Sequence, residues 1–280
     1  MDIAFWKSIQ SNDYAVPEGY TLDSLTPELL GYLGSPDPEL RDDFTLPILA
    51  YWMYRGHYSA TVLRRMIANL GENLTSGIGE QGTDSVFLRS FSALLLAEMV
   101  NFDNKHPYLE ETEIRLLLLQ ALAYLSAEQD GRGYVPGKGW AHACAHTADW
   151  LMVLARSRYT GRADMERILN GISAKVLSIG NPAYIHDEDE RLVNAVGEVL
   201  NRDILPVEYL FSWLENIAHP ASFPWEEAFL TDGGGHAYHN TKCFMRSFYL
   251  RLLKTDPQPP HASELLSKIK DTLKTITPWF

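Results

Sequence analysis

Cysteine is nearly absent from this sequence. Cys144 and Cys243 are the two in 280 residues, too few for the cross-linked framework of a small secreted domain. Charge is sparse as well. Asp, Glu, Lys and Arg make up 21% of the chain, the balance is −12 at pH 7, and no block of five or more like charges occurs. A protein that neutralises phosphates needs a basic footprint. With no Lys/Arg-rich stretch, neither a nucleic-acid partner nor an anionic membrane surface is expected. The longest acidic cluster, Asp187 to Glu190, reads as the solvated first turn of a helix, where carboxylates suit the positive end of the dipole.

Long apolar runs are missing too. The longest candidate, Phe91 to Val100, is interrupted by Ser92 and Glu98 and falls short of the roughly 18 residues a spanning helix needs. The N-terminal MDIAFWKSIQ has no basic segment followed by an apolar run and a small-residue cleavage site. These absences imply a cytoplasmic protein with no membrane partner. Period-two alternation is also lacking, so no strand is expected.

What is present is helix. Hydrophobic content of 46% and aromatic content of 11% are ample for a buried interior. Apolar residues recur at helical spacing almost throughout. In LTPELLGYLGSPDPELRDDFTLPILAYWM, Leu29, Leu30 and Leu33 form one face of a short helix ending near Gly34. Asp37 then caps a second helix with Pro38 at its first position, and Pro47 is expected to kink it. Further helices are expected near residues 59–73, 84–101, 109–129, 139–157, 162–179, 187–202, 206–218, 236–254 and 261–275. They are separated by short Gly-, Pro- and Asn-rich connections. The helix–turn–helix unit around SPDPELR resembles the HEAT repeat. The fold class this implies is all-α: one domain over residues 1–280, a HEAT/ARM-like α-α superhelix (solenoid) of stacked helical hairpins, with an α/α toroid as the alternative.

Three glycine-rich stretches break the helical pattern. In GIGEQGTDSVFLRS, residues 77–90, Asp84 or Thr83 is a candidate cap. Ser85 and Arg89 then share a helical face beside Glu80, an arrangement that suits an anion or pairs Arg89 with an acid on the neighbouring helix. In DGRGYVPGKGWAHACAHTADWL, residues 130–151, four glycines make a tight loop where backbone can approach a ligand. Arg132, Tyr134 and Lys138 lie in that loop and Trp140 opens the expected helix. His142, His146 and Asp149 follow at i, i+4 and i+7 on one face. Two histidines four apart can chelate a metal, with Asp149 holding the His146 ring and Glu80, His236 or His239 supplying a further ligand. The same residues could equally form a buried polar network. In TDGGGHAYHNTKC, residues 231–243, Gly233 to Gly235 read as a flexible loop or a close-approach site, with His236 and His239 on one face beyond it. Cys144 points off the histidine face, so a Cys–His nucleophile is not expected there.

The segments GIGE, TDSVFLRSFSALLLAE and RGYVPGKGWAHACAHTADWL resemble a bacterial family known as a domain of unknown function, number 2785 in that series. The resemblance implies a helical-repeat bacterial protein and carries no activity with it.

From the residues, the three glycine-rich junctions are expected to meet on one edge of a concave surface. They would form a module that binds a small polar or anionic molecule or a peptide. Glu80, Ser85, Arg89, Arg132, Tyr134, Lys138, Trp140, His142, His146, Asp149, His236 and His239 are its candidate contacts. No cofactor is expected under this reading. The alternatives are a metal-assisted hydrolase, with His142 and His146 holding zinc or another divalent metal, and a protein–protein scaffold.

Overall fold

A computed structural model of the chain describes residues 1–279. Twelve α-helices are present among them. The first is α1 (Ile3–Ser11), which no expected helix covered. Asp2 caps it by accepting from the backbone N–H of Phe5 at 2.8 Å, and it buries Trp6 and Ile9 in the core. Then come α2 (Leu22–Tyr32), a π-helical turn (Glu39–Thr45) and α3 (Leu46–Tyr54). The kink expected at Pro47 takes this wider-turned form. Pro47 has no N–H to offer the carbonyl of Asp43 and its ring crowds that carbonyl. Asp43 O accepts instead from Gln10 Nε2 at 3.4 Å. Asp37 caps as expected, its Oδ1 accepting from the N–H of Glu39.

The rest is α4 (Ala60–Asn73), α5 (Ser85–Lys105), α6 (Glu111–Ala127), α7 (Ala143–Ala155), α8 (Arg162–Val176) and α9 (Glu188–Asn201). They are followed by α10 (Val207–Ala218), a 3₁₀ turn (Trp225–Leu230), α11 (Asp232–Lys254) and α12 (Ala262–Ile276). Helices α5, α7, α9 and α11 pack side by side in that order, while α4 lies on α5, α6 on α7 and α8, and α8 on α9. The core runs through this inner row. Phe87, Leu96, Trp150, Leu154, Val196 and Phe244 are all fully buried, each contributing about 1.5–3 kcal/mol of apolar transfer energy or more. By length and composition α5 could cross a membrane, a property no apolar run had suggested. In the fold 72% of its most apolar window is buried against other helices, as in a core helix.

Two local readings are corrected. First, residues 134–140 form a β-hairpin, not a loop leading straight into helix. Strands β1 (Tyr134–Val135) and β2 (Gly139–Trp140) pair antiparallel, with Tyr134 opposite Trp140. Gly137 and Gly139 take positive φ values of 75° and 77°, which few other residues tolerate. Hydrogen bonds from Ala141 N to Gly133 O and from His142 N to Arg132 O extend the pairing, so the helix expected from residue 139 begins at Ala143. Second, Gly233 to Gly235 are the first turn of α11 rather than a loop, capped by Thr231 Oγ1 accepting from Gly234 N. The close-approach reading holds for Gly233 and Gly234. A Cβ on Gly233 would lie 2.2 Å from Ile179 O, and one on Gly234 2.3 Å from Ala228 O.

Candidate functional site

The three glycine-rich junctions meet. A cleft of about 600 Å³ is lined by Gln81 and Gly82 before α5, by Gln129 to Tyr134 after α6, and by Gly233 and His236 at the start of α11. Its fourth wall is the segment from Ile179 to His186 that links α8 to α9. Asp130 joins the first two walls. Its Oδ2 accepts from Gly82 N at 2.9 Å, and its carboxylate is gripped by Arg132, with Nη2 to Oδ2 at 2.7 Å and Nε to Oδ1 at 2.8 Å. Arg132 reaches on to Thr83 O. The second and fourth walls press backbone against side chain. A Cβ on Gly131 would sit 2.4 Å from Pro182 Cγ, and one on Gly133 2.2 Å from Nδ1 of His186. Of the four glycines expected to admit a ligand, Gly131 and Gly133 therefore admit the protein's own opposite wall.

Beside the cleft, the hairpin is pinned from below by Arg41. Its fully buried guanidinium donates to Ser35 O at 2.7 Å and Lys138 O at 2.8 Å, and lies 4.2 and 4.5 Å from the rings of Phe87 and Phe91. Such cation–π contacts favour a planar, weakly hydrated cation. On the hairpin's outer face Trp140 stacks on His142 with ring centroids 4.3 Å apart and meets Tyr134 and His186 edge-on. Both Tyr134 and Trp140 are exposed.

The histidines beneath this stack are neutral. His142 is the residue before α7, in left-handed conformation at φ 50°, so it does not project from the helix itself. Its ring still lies 6.0 Å from that of His146, nearly perpendicular to it. His142 Nε2 donates to His186 O at 3.1 Å. Ser90 spends its one proton on Ala141 O, so His146 Nδ1 is the donor in the 2.8 Å contact with Ser90 Oγ. That direction leaves Ser90 without the base-activated proton of a nucleophile. Burial pushes His142 down to about 4. It pushes His146, with the further effect of nearby His142 and Arg191, down to about 3.

Asp149 does not hold His146; it forms a two-pronged ion pair with Arg191, Nε to Oδ1 at 2.8 Å and Nη2 to Oδ2. Arg89 lies off the cleft, buried against Glu128 at 2.6 and 3.1 Å, the structural pairing weighed from sequence. Ser85 Oγ accepts from Arg89 and donates to Glu80; the Glu80 carboxylate is lowered by its hydrogen bonds from Ser85 and Thr83. Asp84 caps nothing through its side chain and pairs with Lys138 at 2.7 Å. His239 Nε2 contacts Tyr184 O at 3.3 Å, whereas His236 lines the cleft without a hydrogen bond among the described residues. Cys144 is buried beside the Tyr184 hydroxyl, and burial raises its thiol to about 11. Among the described residues, no group of three or more His, Cys, Asp or Glu side chains is placed to hold a metal ion. His142 and His146 are therefore a pair without the third ligand sought at Glu80, His236 or His239.

Several contributors were not anticipated. The acidic cluster at 187–190 is only partly solvated. The Glu188 side chain is 4% exposed, with Oε1 4.0 Å from both His142 Nε2 and His186 Nδ1. Burial raises its carboxyl. Asp189 accepts from Ser247. Arg41 and His186 had no sequence signal, because each owes its place to contacts with distant residues. Glu128-Gln-Asp130 just before Gly131 was the one local hint, an acid on either side of a helix end.

Residues 74–250 match the family model described as a protein of unknown function, DUF2785. The match covers well over half the chain and contains every wall of the cleft. The chain belongs to that family. No curated protein and no solved structure matches it.

Proposed function

We propose that this member of the family is a binding module that holds a small polar molecule in the cleft between its three glycine-rich junctions. The observation that carries the reading is the convergence itself: segments some fifty and a hundred residues apart, at 81–82, 129–134 and 233–236, line one concavity. Concave, partly apolar sites with a few convergent polar groups are where small ligands bind. The cleft has that character, with Pro182, Ala183 and Ile185 on one side and amide, imidazole and phenol groups around them.

Which groups are free sets the ligand's chemistry. Arg132 is committed to Asp130, Lys138 to Asp84 and Arg89 to Glu128. The charges expected to engage an anion thus cancel within the protein. Left for a ligand are His236, the Tyr134 hydroxyl, the His186 ring and the amide N–H groups of Gln129, whose oxygen accepts from Gln81 at 3.3 Å. This set suits the body of an uncharged polar molecule, with the Tyr134–Trp140 edge as an exposed apolar wall. We further propose that the alternating inner and outer helices form a HEAT-like solenoid, with the cleft on its concave edge.

The test is a thermal-shift screen of small polar molecules, followed by amide chemical-shift mapping of each hit. Hits that move Gly82, Gly133, Asn181 and Gly233 together, and that His236→Ala and Gln129→Ala weaken about tenfold each, or about 1.4 kcal/mol, support the reading. Hits that map elsewhere, or none that bind, reject it. The hydrolase alternative would require turnover that is lost in His142→Ala and His146→Ala.

A further inference from the structure

We infer that a second concavity beside the cleft is a subsite for a carboxylate, received by the ammonium group of Lys175. This rests on the reading above, since it places one end of the same ligand. The second concavity, about 370 Å³, shares Gln81, Gln129, Gly180 and Asn181 with the main cleft, so one molecule can occupy both. Lys175, in the last turn of α8, lines only the second.

Lys175 differs from the other cations around the site. Lys138, Arg89 and Arg132 each face a carboxylate, but Lys175 makes no ion pair among the described residues. Its Nζ donates to Glu128 O at 2.7 Å. An ammonium has three N–H groups, so two remain. The neighbouring carboxylate cannot answer them, because Glu128 is already saturated. Oε1 accepts from Arg89 Nη2 and Asp130 N, and Oε2 from Arg89 Nε and the Tyr124 hydroxyl. The same Glu128 therefore gives Lys175 a carbonyl to hold it in place, while its carboxylate oxygens are hydrogen-bonded to Arg89, Asp130 and Tyr124 rather than to the ammonium.

Burial lowers the Lys175 ammonium from its ordinary value, more than the nearby Cys144 and Glu128 raise it. A cation desolvated without a partner gains from any anion that reaches it. One ammonium in a concavity that Gln129 also lines matches the single charge and flat shape of a carboxylate. A phosphate dianion is ordinarily met by several cations or a run of backbone N–H groups, and Lys175 is alone. The ligand so defined is a small molecule with an uncharged polar body and one carboxylate end.

The test titrates Lys175 in the intact chain labelled with carbon-13 at the lysine ε position. Its signal is assigned by its disappearance in Lys175→Met and, should that variant not fold, in Lys175→Arg. The probes are sodium acetate and sodium phosphate, each compared with sodium chloride at equal ionic strength. The expected result is that acetate raises the Lys175 midpoint by about one pH unit over chloride, while exposed Lys254 stays unmoved. No rise, or an equal rise at Lys254, overturns the subsite. A rise in phosphate and none in acetate overturns the carboxylate assignment. The two readings fail separately. Library hits that move Gly133 and Gly233, with Lys175 indifferent to acetate, remove this inference and leave the main cleft. A Lys175 response to acetate with no hit in the main cleft removes the binding-module reading instead.

Discussion

Arg89 and Glu128 meet as a two-pronged ion pair, 2.6 and 3.1 Å, with their side chains 0% and 5% exposed. The pair ties the start of α5 to the end of α6, and so sets where the first two glycine-rich junctions lie. Arg89 also donates to the carbonyls of Ser76 and Gly77, both at 2.9 Å, which fixes the loop that leads to Gln81.

Removing one partner is therefore expected to cost more than removing both. Glu128→Gln leaves a buried guanidinium without its counter-charge, a loss of about 3–5 kcal/mol. Arg89→Met with Glu128→Leu removes both charges and is expected to lose less. Urea unfolding of the three proteins checks the order, and equal losses would show that the carboxylate does not balance Arg89.

Acid should destabilise the fold through half-buried His142 and buried His146. Both His142 and His146 are held below the 6.5 of an exposed imidazole, at about 4 and about 3. The unfolded chain therefore binds more protons than the folded one within that window. Stability is full above pH 6.5 and falls as pH drops through the window toward the folded values. His146, the more deeply buried, is expected to account for on the order of 3 kcal/mol of the loss by about pH 4.5. Denaturant midpoints measured against pH report it, and His146→Gln should flatten the slope; an unchanged slope would mean His146 takes up its proton as readily folded as unfolded.

The three consecutive glycines of α11 should behave differently from one another. Gly233→Ala and Gly234→Ala force a methyl group against the carbonyls of Ile179 and Ala228 and are expected to cost about 1–3 kcal/mol. Gly235 has nothing within 4 Å of a Cβ and sits in the helix. Gly235→Ala is expected to stabilise by about 0.5–1 kcal/mol. Melting temperatures of the three variants separate the cases, and a common sign would contradict the packing described.

The same glycines show how much the sequence could disclose. Helix positions were legible because apolar spacing is a local signal: the helix expected at 162–179 runs to Val176, and that at 206–218 matches α10 to within a residue. The meeting of the glycine-rich junctions was legible as well, since glycine marks close approach whatever approaches. What approaches was not. His186 against Gly133 and Ile179 against Gly233 are contacts between segments about fifty residues apart, and no spacing rule encodes them. Charge partners stayed hidden for the same reason. Sequence spacing offers His146, three residues away, as the partner of Asp149, but its partner is Arg191 on the next inner helix. The two-residue strands at 134 and 139 were too short for any period to register. Helix α1 lay within a stretch read only for targeting signals.

On the proposed function, a small polar molecule occupies the cleft between the three junctions. Amide chemical-shift mapping with hits from a library of small polar molecules tests it most directly. Joint shifts at Gly82, Gly133, Asn181 and Gly233 are expected, with binding weakened by His236→Ala. Shifts confined to another surface, such as the exposed Leu116 and Leu119 of α6, would contradict it.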